Sequence, residues 1–229
     1  MKEIEKIKTE ISEDICDIEV DFYCRKLAMG SSTGKIYIFE NINGQYSKVS
    51  EISAHIGPIF KLSWSHPNFG PILASCGLDK KVNLFNINQN YQLEKIYEFE
   101  MHDNSVNTLK FSPSSNNLLL VSGDINGNLV TCEYLNKEFI LKKTFCHDFG
   151  VNCIDFLDNN NFVTCGNDNT IRIWNYSQEN GSIVIKNDFI LKDKDNDNNI
   201  IIKDISCKDN KHFVCCGYSG DEGVVNYLK

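Results

Sequence analysis

Apolar residues recur along this chain in short runs, cut apart by Gly, Asn, Asp and Ser at turn positions. The runs fall into groups. DICDIEVDF, KLAMGSS, KIYIF and SKVSEIS come first, then PIFKLSW, PILASCG, KVNLF and QLEKIYEF. A third group reads SVNTLKF, NLLLVSG, NLVTCEY and FILKKTF, and a fourth GVNCIDF, NFVTCG, TIRIW and SIVIKNDFIL. IIIKDIS, HFVCCG and GVVNYL close the chain. Their length and β-branched content predict strands, and no amphipathic pattern supports a helix longer than about two turns. Several runs are apolar on both faces, as a sheet sandwiched between neighbouring sheets requires.

A spacing recurs through these groups. A turn residue stands six positions before an aromatic or apolar one: Thr33 before Phe39, Asp79 before Phe85, Asn126 before Cys132, Asp168 before Trp174 and Asp221 before Tyr227. The steps between turn residues are 46, 47, 42 and 53, the last stretched by the polar run LKDKDNDNN at 191–199, read as an extended surface loop. This period approaches the roughly 40–45 residues of a WD repeat, with four short strands per blade. The reading is an all-β WD-repeat β-propeller, a single domain over 1–229, with five recognisable blades. The fifth blade ends after its third strand. Either EIEKIKTEI (residues 3–11) supplies the missing outer strand and closes the ring, or the ring is open and its end blades expose apolar faces that mark a partner site.

Histidines recur in register. His55, His102 and His147 precede Asp79, Asn126 and Asp168 by 24, 24 and 21 residues, and Ser75, Ser122 and Thr164 stand four before the same three. In blades 2 and 4 this resembles the WD-repeat tetrad of His, Ser or Thr, Asp and Trp, completed by Trp174 in blade 4 and replaced by Phe85 in blade 2. The resemblance implies a hydrogen-bonded chain pinning strand edges, which satisfies a buried imidazole. A Ser-His-Asp set also invites a hydrolase reading. Its repetition in several blades, and the lack of a G-x-S-x-G elbow, favour structure over catalysis.

Composition narrows the function. With 31 acidic against 23 basic residues the net charge is -8, which disfavours nucleic acid as a direct ligand. MKEIEKIKTEISED has no apolar core of a secretory signal, and no run is long enough to span a membrane. A soluble protein is expected. The ten cysteines lack zinc-type pairing and most sit in apolar runs, so they read as free thiols packed as small hydrophobes. Asp193, Asp195 and Asp197 lack the ligand order and glycine of an EF-hand and read as a solvated loop. No metal, no cofactor and no enzymatic activity are expected.

One segment carries a specific resemblance. HIGPIFKLSWSHPNFGPILASCGLDKKVNLF (55–85) is similar to the second blade of the Sec-thirteen family, propellers of the COPII vesicle coat and the nuclear pore scaffold. Gly57, Pro58, Trp64, His66, Pro67, Gly70, Ile72 to Cys76, Asp79, Lys81 and Val82 match it, and the HP-x-x-G insertion is unusual among WD repeats. DICDIEVDFYCRKLAMGSS and HDNSVNTLKFSP resemble the family's first and third blades. The family has six blades in an open ring and a partner inserts a seventh, whereas five are visible here. The resemblance implies a scaffold subunit of the COPII outer coat in ER-to-Golgi transport, and also of the nuclear pore Y-complex. Its partners would be a long coat subunit and a scaffold nucleoporin, each donating a β-blade. The location would be cytoplasmic, at ER exit sites and COPII vesicles, and at the nuclear pore, touching membrane only through the coat. Ile18, Val20, Ile36 and Ile38 in blade 1, and Val214 and Val224 in the last, are the expected lining. A Seh-one-like nucleoporin, or a closed-ring adaptor binding peptides on its top face, are the alternatives.

Overall fold

The computed structural model describes residues 11–190, 201–209, 212–219 and 222–228. Five antiparallel meanders follow one another along the chain. Blade 1 is β1 (Ile15–Val20), β2 (Lys26–Ser31), β3 (Lys35–Ile42) and β4 (Gln45–Ser53). Blade 2 is β5 (Ile59–Trp64), β6 (Ile72–Gly77), β7 (Val82–Ile87) and β8 (Leu93–Phe99). Blade 3 is β9 (Val106–Phe111), β10 (Leu118–Asp124), β11 (Asn128–Leu135) and β12 (Glu138–Phe145). Blade 4 is β13 (Val151–Phe156), β14 (Asn161–Gly166), β15 (Thr170–Ser177) and β16 (Ser182–Ile190). Blade 5 shows three strands among the described residues, β17 (Ile201–Asp209), β18 (His212–Ser219) and β19 (Glu222–Leu228). This is the β-propeller the repeat predicts. The only helical turn among the described residues is the 3-10 turn Pro67–Phe69, built by the HP-x-x-G insertion, and no helix there is long and apolar enough to cross a membrane.

Each blade's first strand packs on the next blade's first strand, in the order β1, β5, β9, β13, β17. The second and third strands are apolar on both faces because each face meets a different neighbour. In β6, Leu73 joins the blade 1 side with Ile36, Ile38 and Phe85, while Ile72, Ala74 and Cys76 join the blade 3 side with Leu109 and Leu120. The fourth strands lie at the rim and alternate toward solvent, as in β12. Among the described residues, no strand of blade 1 packs on blade 5 as adjacent blades pack on each other. The axis is narrow: Glu19 of blade 1 meets Lys110 of blade 3 at 3.3 Å.

Gly127 (φ 86°) turns the chain between β10 and β11, and its carbonyl accepts from Cys146 and His147 of the following loop at 2.8 and 3.0 Å. A side chain there would land on the His147 carbonyl oxygen. Gly34 holds His55 and Ala54 in the same way, at 3.0 and 2.9 Å, so the glycine turns lock the histidine loops of the next blade.

Candidate partner-binding face

The recurring histidines are buried in three polar chains. In blade 4 the Trp174 indole N–H donates to Thr164 Oγ1 at 2.9 Å. The Thr164 hydroxyl lies 2.8 Å from His147 Nε2, and His147 Nδ1 lies 2.9 Å from Asp168. Asp168 also accepts from the Thr170 hydroxyl at 2.7 Å. Burial pulls the Asp168 carboxyl up, but the bonds from Thr170 and His147 outweigh it and hold it below its ordinary value. Burial likewise holds His55 and His147 below the usual imidazole range, against the pull of Asp79 and Asp168. Each ring is therefore neutral, donating from Nδ1 and accepting at Nε2. In blade 2 His55 bridges Asp79 at 2.8 Å and Ser75 at 2.7 Å, and Phe85 stands where blade 4 has its indole. The Ser75, Ser122 and Thr164 hydroxyls are fully buried, so no substrate carbonyl reaches them and the triad-like geometry is structural.

Blade 3 corrects one expectation. Asn126 is exposed and is not the partner of His102. That partner is Asp124, two residues earlier at the end of β10, 3.0 Å from His102 Nδ1, while Ser122 lies 2.8 Å from Nε2. Asp124 also accepts from the Asn126 and Asn128 backbone N–H groups at 2.9 Å each. Blades 2 and 4 have Gly77 and Gly166 at the matching place, so there the carboxylate comes from the turn, whereas in blade 3 the strand end supplies it.

The strand register lets the first strands be compared slot by slot. Ile18, Leu62, Leu109, Ile154 and Ile205 occupy one slot. The last four are buried against the preceding blade; Ile18, on which no other blade packs among the described residues, is 52% exposed. Val20 shares its slot with Trp64, Phe111 and Phe156, all buried, yet is 41% exposed. Two residues therefore carry interface chemistry without an interface among the described residues.

Ile36 and Ile38 require a correction. Both are fully buried between blades 1 and 2, against Ile59, Leu62 and Phe85. The face of β3 turned away from blade 2 instead carries Tyr37 and Phe39, which pack with Leu27 and Met29 of β2. The stretch entering blade 1 covers these four. Ile11 and Ile15 pack on them, and Glu13 accepts from Thr33 (2.6 Å), Lys35 (2.9 Å) and Tyr37 (3.0 Å), which hold its carboxyl down to about 2. This cover was not foreseen; the alternation of Ile11, Glu13 and Ile15 was its signal. Residues 3–10, the expected closing strand, lie outside the described residues.

At the other end Val214 is 39% exposed on β18. Val224 lies on β19, with its side chain outside the described residues. Asp193, Asp195 and Asp197 are outside them as well. Side chains of one first strand accept backbone N–H groups of the next: Asp17 from Leu62 at 2.7 Å, Ser63 from Phe111 at 3.1 Å, Asp155 from Cys207 at 2.7 Å. Ser206 of β17 fills the Ser63 and Asp155 slot and is exposed, opposite Val214. Cys16, Cys24 and Cys216 are exposed, whereas Cys76, Cys132, Cys146, Cys153 and Cys165 are buried in the strands.

The WD domain, G-beta repeat family matches residues 93–130 and 139–175. The chain is 34% identical to "Protein SEC13 homolog" of Drosophila melanogaster over 67% of its length and 44% of that protein. It is 29% identical to "Protein transport protein sec13" of Emericella nidulans over 72% of its length and 61% of that protein. The like-named protein of Aspergillus clavatus is 30% identical over 72% of this chain and 64% of its own. The chain thus spans from under half to just under two thirds of the length of these three relatives.

Proposed function

From its membership of the Sec-thirteen family of WD-repeat proteins, we propose that this chain is a non-catalytic scaffold subunit of a protein-transport coat, the COPII outer cage, completed by a partner's inserted strands. The exposure of Ile18 and Val20 carries this reading. They occupy slots whose counterparts in other blades are sealed by the preceding blade, so an inserted strand would bury them as Leu62 and Trp64 are buried. On the far side Ser206 would accept a backbone N–H from that strand, as Ser63 and Asp155 do. A long coat subunit is the proposed partner, and a scaffold nucleoporin of the pore Y-complex a second user of the same seam. The proposed location follows: cytoplasmic, at ER exit sites and vesicles, and at the pore, reaching membrane only through the coat.

The test pairs purified chain with the coat partner's strand-donating segment. Wild type is expected to form a 1:1 complex, and the Ile18→Asp, Val20→Asp double variant to lose it while keeping its melting temperature. Equal binding by wild type and variant would sink the reading. A peptide-binding adaptor is the second reading, drawn from exposed Ile56 and Phe149 on the loops that carry His55 and His147.

A further inference from the structure

A groove of about 490 Å³ opens between blades 2 and 3, at the end of the molecule opposite the histidine loops, and belongs to neither the tetrads nor the blade 1 seam. Phe69, from the HP-x-x-G insertion, forms one wall; Ile96 of β8 and Tyr134 and Phe139 of blade 3 form others. The walls are fixed. Phe139 stacks on Tyr97 at 4.1 Å and meets Tyr134 at 4.9 Å, and Asn68 of the insertion donates to the Ser115 carbonyl of blade 3 at 3.3 Å. Ile96 and Tyr134 are each 42% exposed, so the apolar lining faces solvent.

Two polar groups converge on it. Lys137, at the turn between β11 and β12, is the single charged residue of the lining and makes no ion pair among the described residues. Asn86 of β7, partly buried, brings a side-chain amide to the same lining. Such a groove has the size and make-up of a ligand site, mostly apolar with a few placed polar groups. We infer that it binds a linear peptide segment of another protein that carries an aliphatic or aromatic side chain next to a carboxylate. The side chain fills the aromatic trough, the carboxylate pairs with Lys137, and a peptide amide meets Asn86, which offers both donor and acceptor. This site is independent of the blade 1 seam.

The test titrates isotope-labelled full chain with acetyl-Asp-Leu-Phe amide and follows backbone amide shifts. Saturable shifts centred on Ile96, Tyr134 and Phe139 are expected. The neutral acetyl-Asn-Leu-Phe amide, and the Lys137→Glu variant with the acidic peptide, should each bind about fivefold more weakly. Ile96→Glu should abolish binding. Both positions are exposed, so an unchanged melting temperature confirms that the variants fold. No saturable shift at millimolar peptide, equal affinity for the acidic and neutral peptides, or shifts centred on β1 would each overturn the inference.

Discussion

Replacing Asp124 by Ala and Asn126 by Ala, two residues apart, separates the observed polar chain of blade 3 from the one spacing predicts. Asp124 is fully buried and accepts from His102 Nδ1 and from two backbone N–H groups. Its loss leaves the imidazole N–H buried without an acceptor, costing about 1–3 kcal/mol, and removes a charge-assisted bond of about 1.5–3 kcal/mol. The turn N–H groups are near solvent and recover part of their loss from water, so a total of about 3 kcal/mol is expected. For a chain of this size that lowers Tm by roughly 6–12 °C. Asn126 is exposed, and its side chain has only a 3.5 Å contact from Asn104, so its replacement should stay within about 0.5 kcal/mol. Thermal and urea melts of the two variants decide the matter. An Asn126→Ala penalty equal to that of Asp124→Ala would refute the assignment.

Other expectations follow from the same geometry. His55 and His147 are held neutral below the unfolded value of 6.5, so acidification charges the unfolded chain first. Stability is full above that value and declines as pH falls through and below it; a urea midpoint that rose on going from pH 7 to pH 5.5 would contradict this. Gly127→Ala must strain a positive φ and displace the His147 carbonyl, whereas Gly44→Ala strains a comparable φ in open space. The first should cost at least about 2 kcal/mol and clearly exceed the second in melts. Leu109→Ala, in a sealed slot, should cost about 2–5 kcal/mol. Ile18→Ala, in the matching open slot, should leave the free chain within about 0.5 kcal/mol of wild type by urea titration.

The strands and their grouping are legible in the sequence because the physics repeats. A middle strand between two blades must be apolar on both faces, and a turn residue must precede it, so β6–β7 and β14–β15 announce themselves. Spacing measures position and not chemistry, which is why it selects Asn126. The carboxylate of blade 3 had moved from the turn to the strand end, and only the Gly-Asp pair at 123–124, against Cys-Gly at 76–77 and 165–166, betrays it. The faces of β3 are harder still. Ile36 and Ile38 alternate with Tyr37 and Phe39, equally apolar, and nothing local says which pair meets blade 2. β1 alternates apolar with acidic, and there Ile18 and Val20 separate cleanly from Asp17 and Glu19.

The most direct test uses thiols already on the two sides of the seam. Cys16 is exposed on β1, the strand of Ile18 and Val20; Cys216 is exposed on β18, two residues from Val214; Cys24 is exposed at the turn after β1. Labelling rates are measured for the free chain and for the chain saturated with the proposed coat partner. An inserted strand predicts that Cys16 and Cys216 are both protected while Cys24 reacts unchanged. Undiminished labelling of Cys16 and Cys216 within a formed complex would show that the partner binds elsewhere.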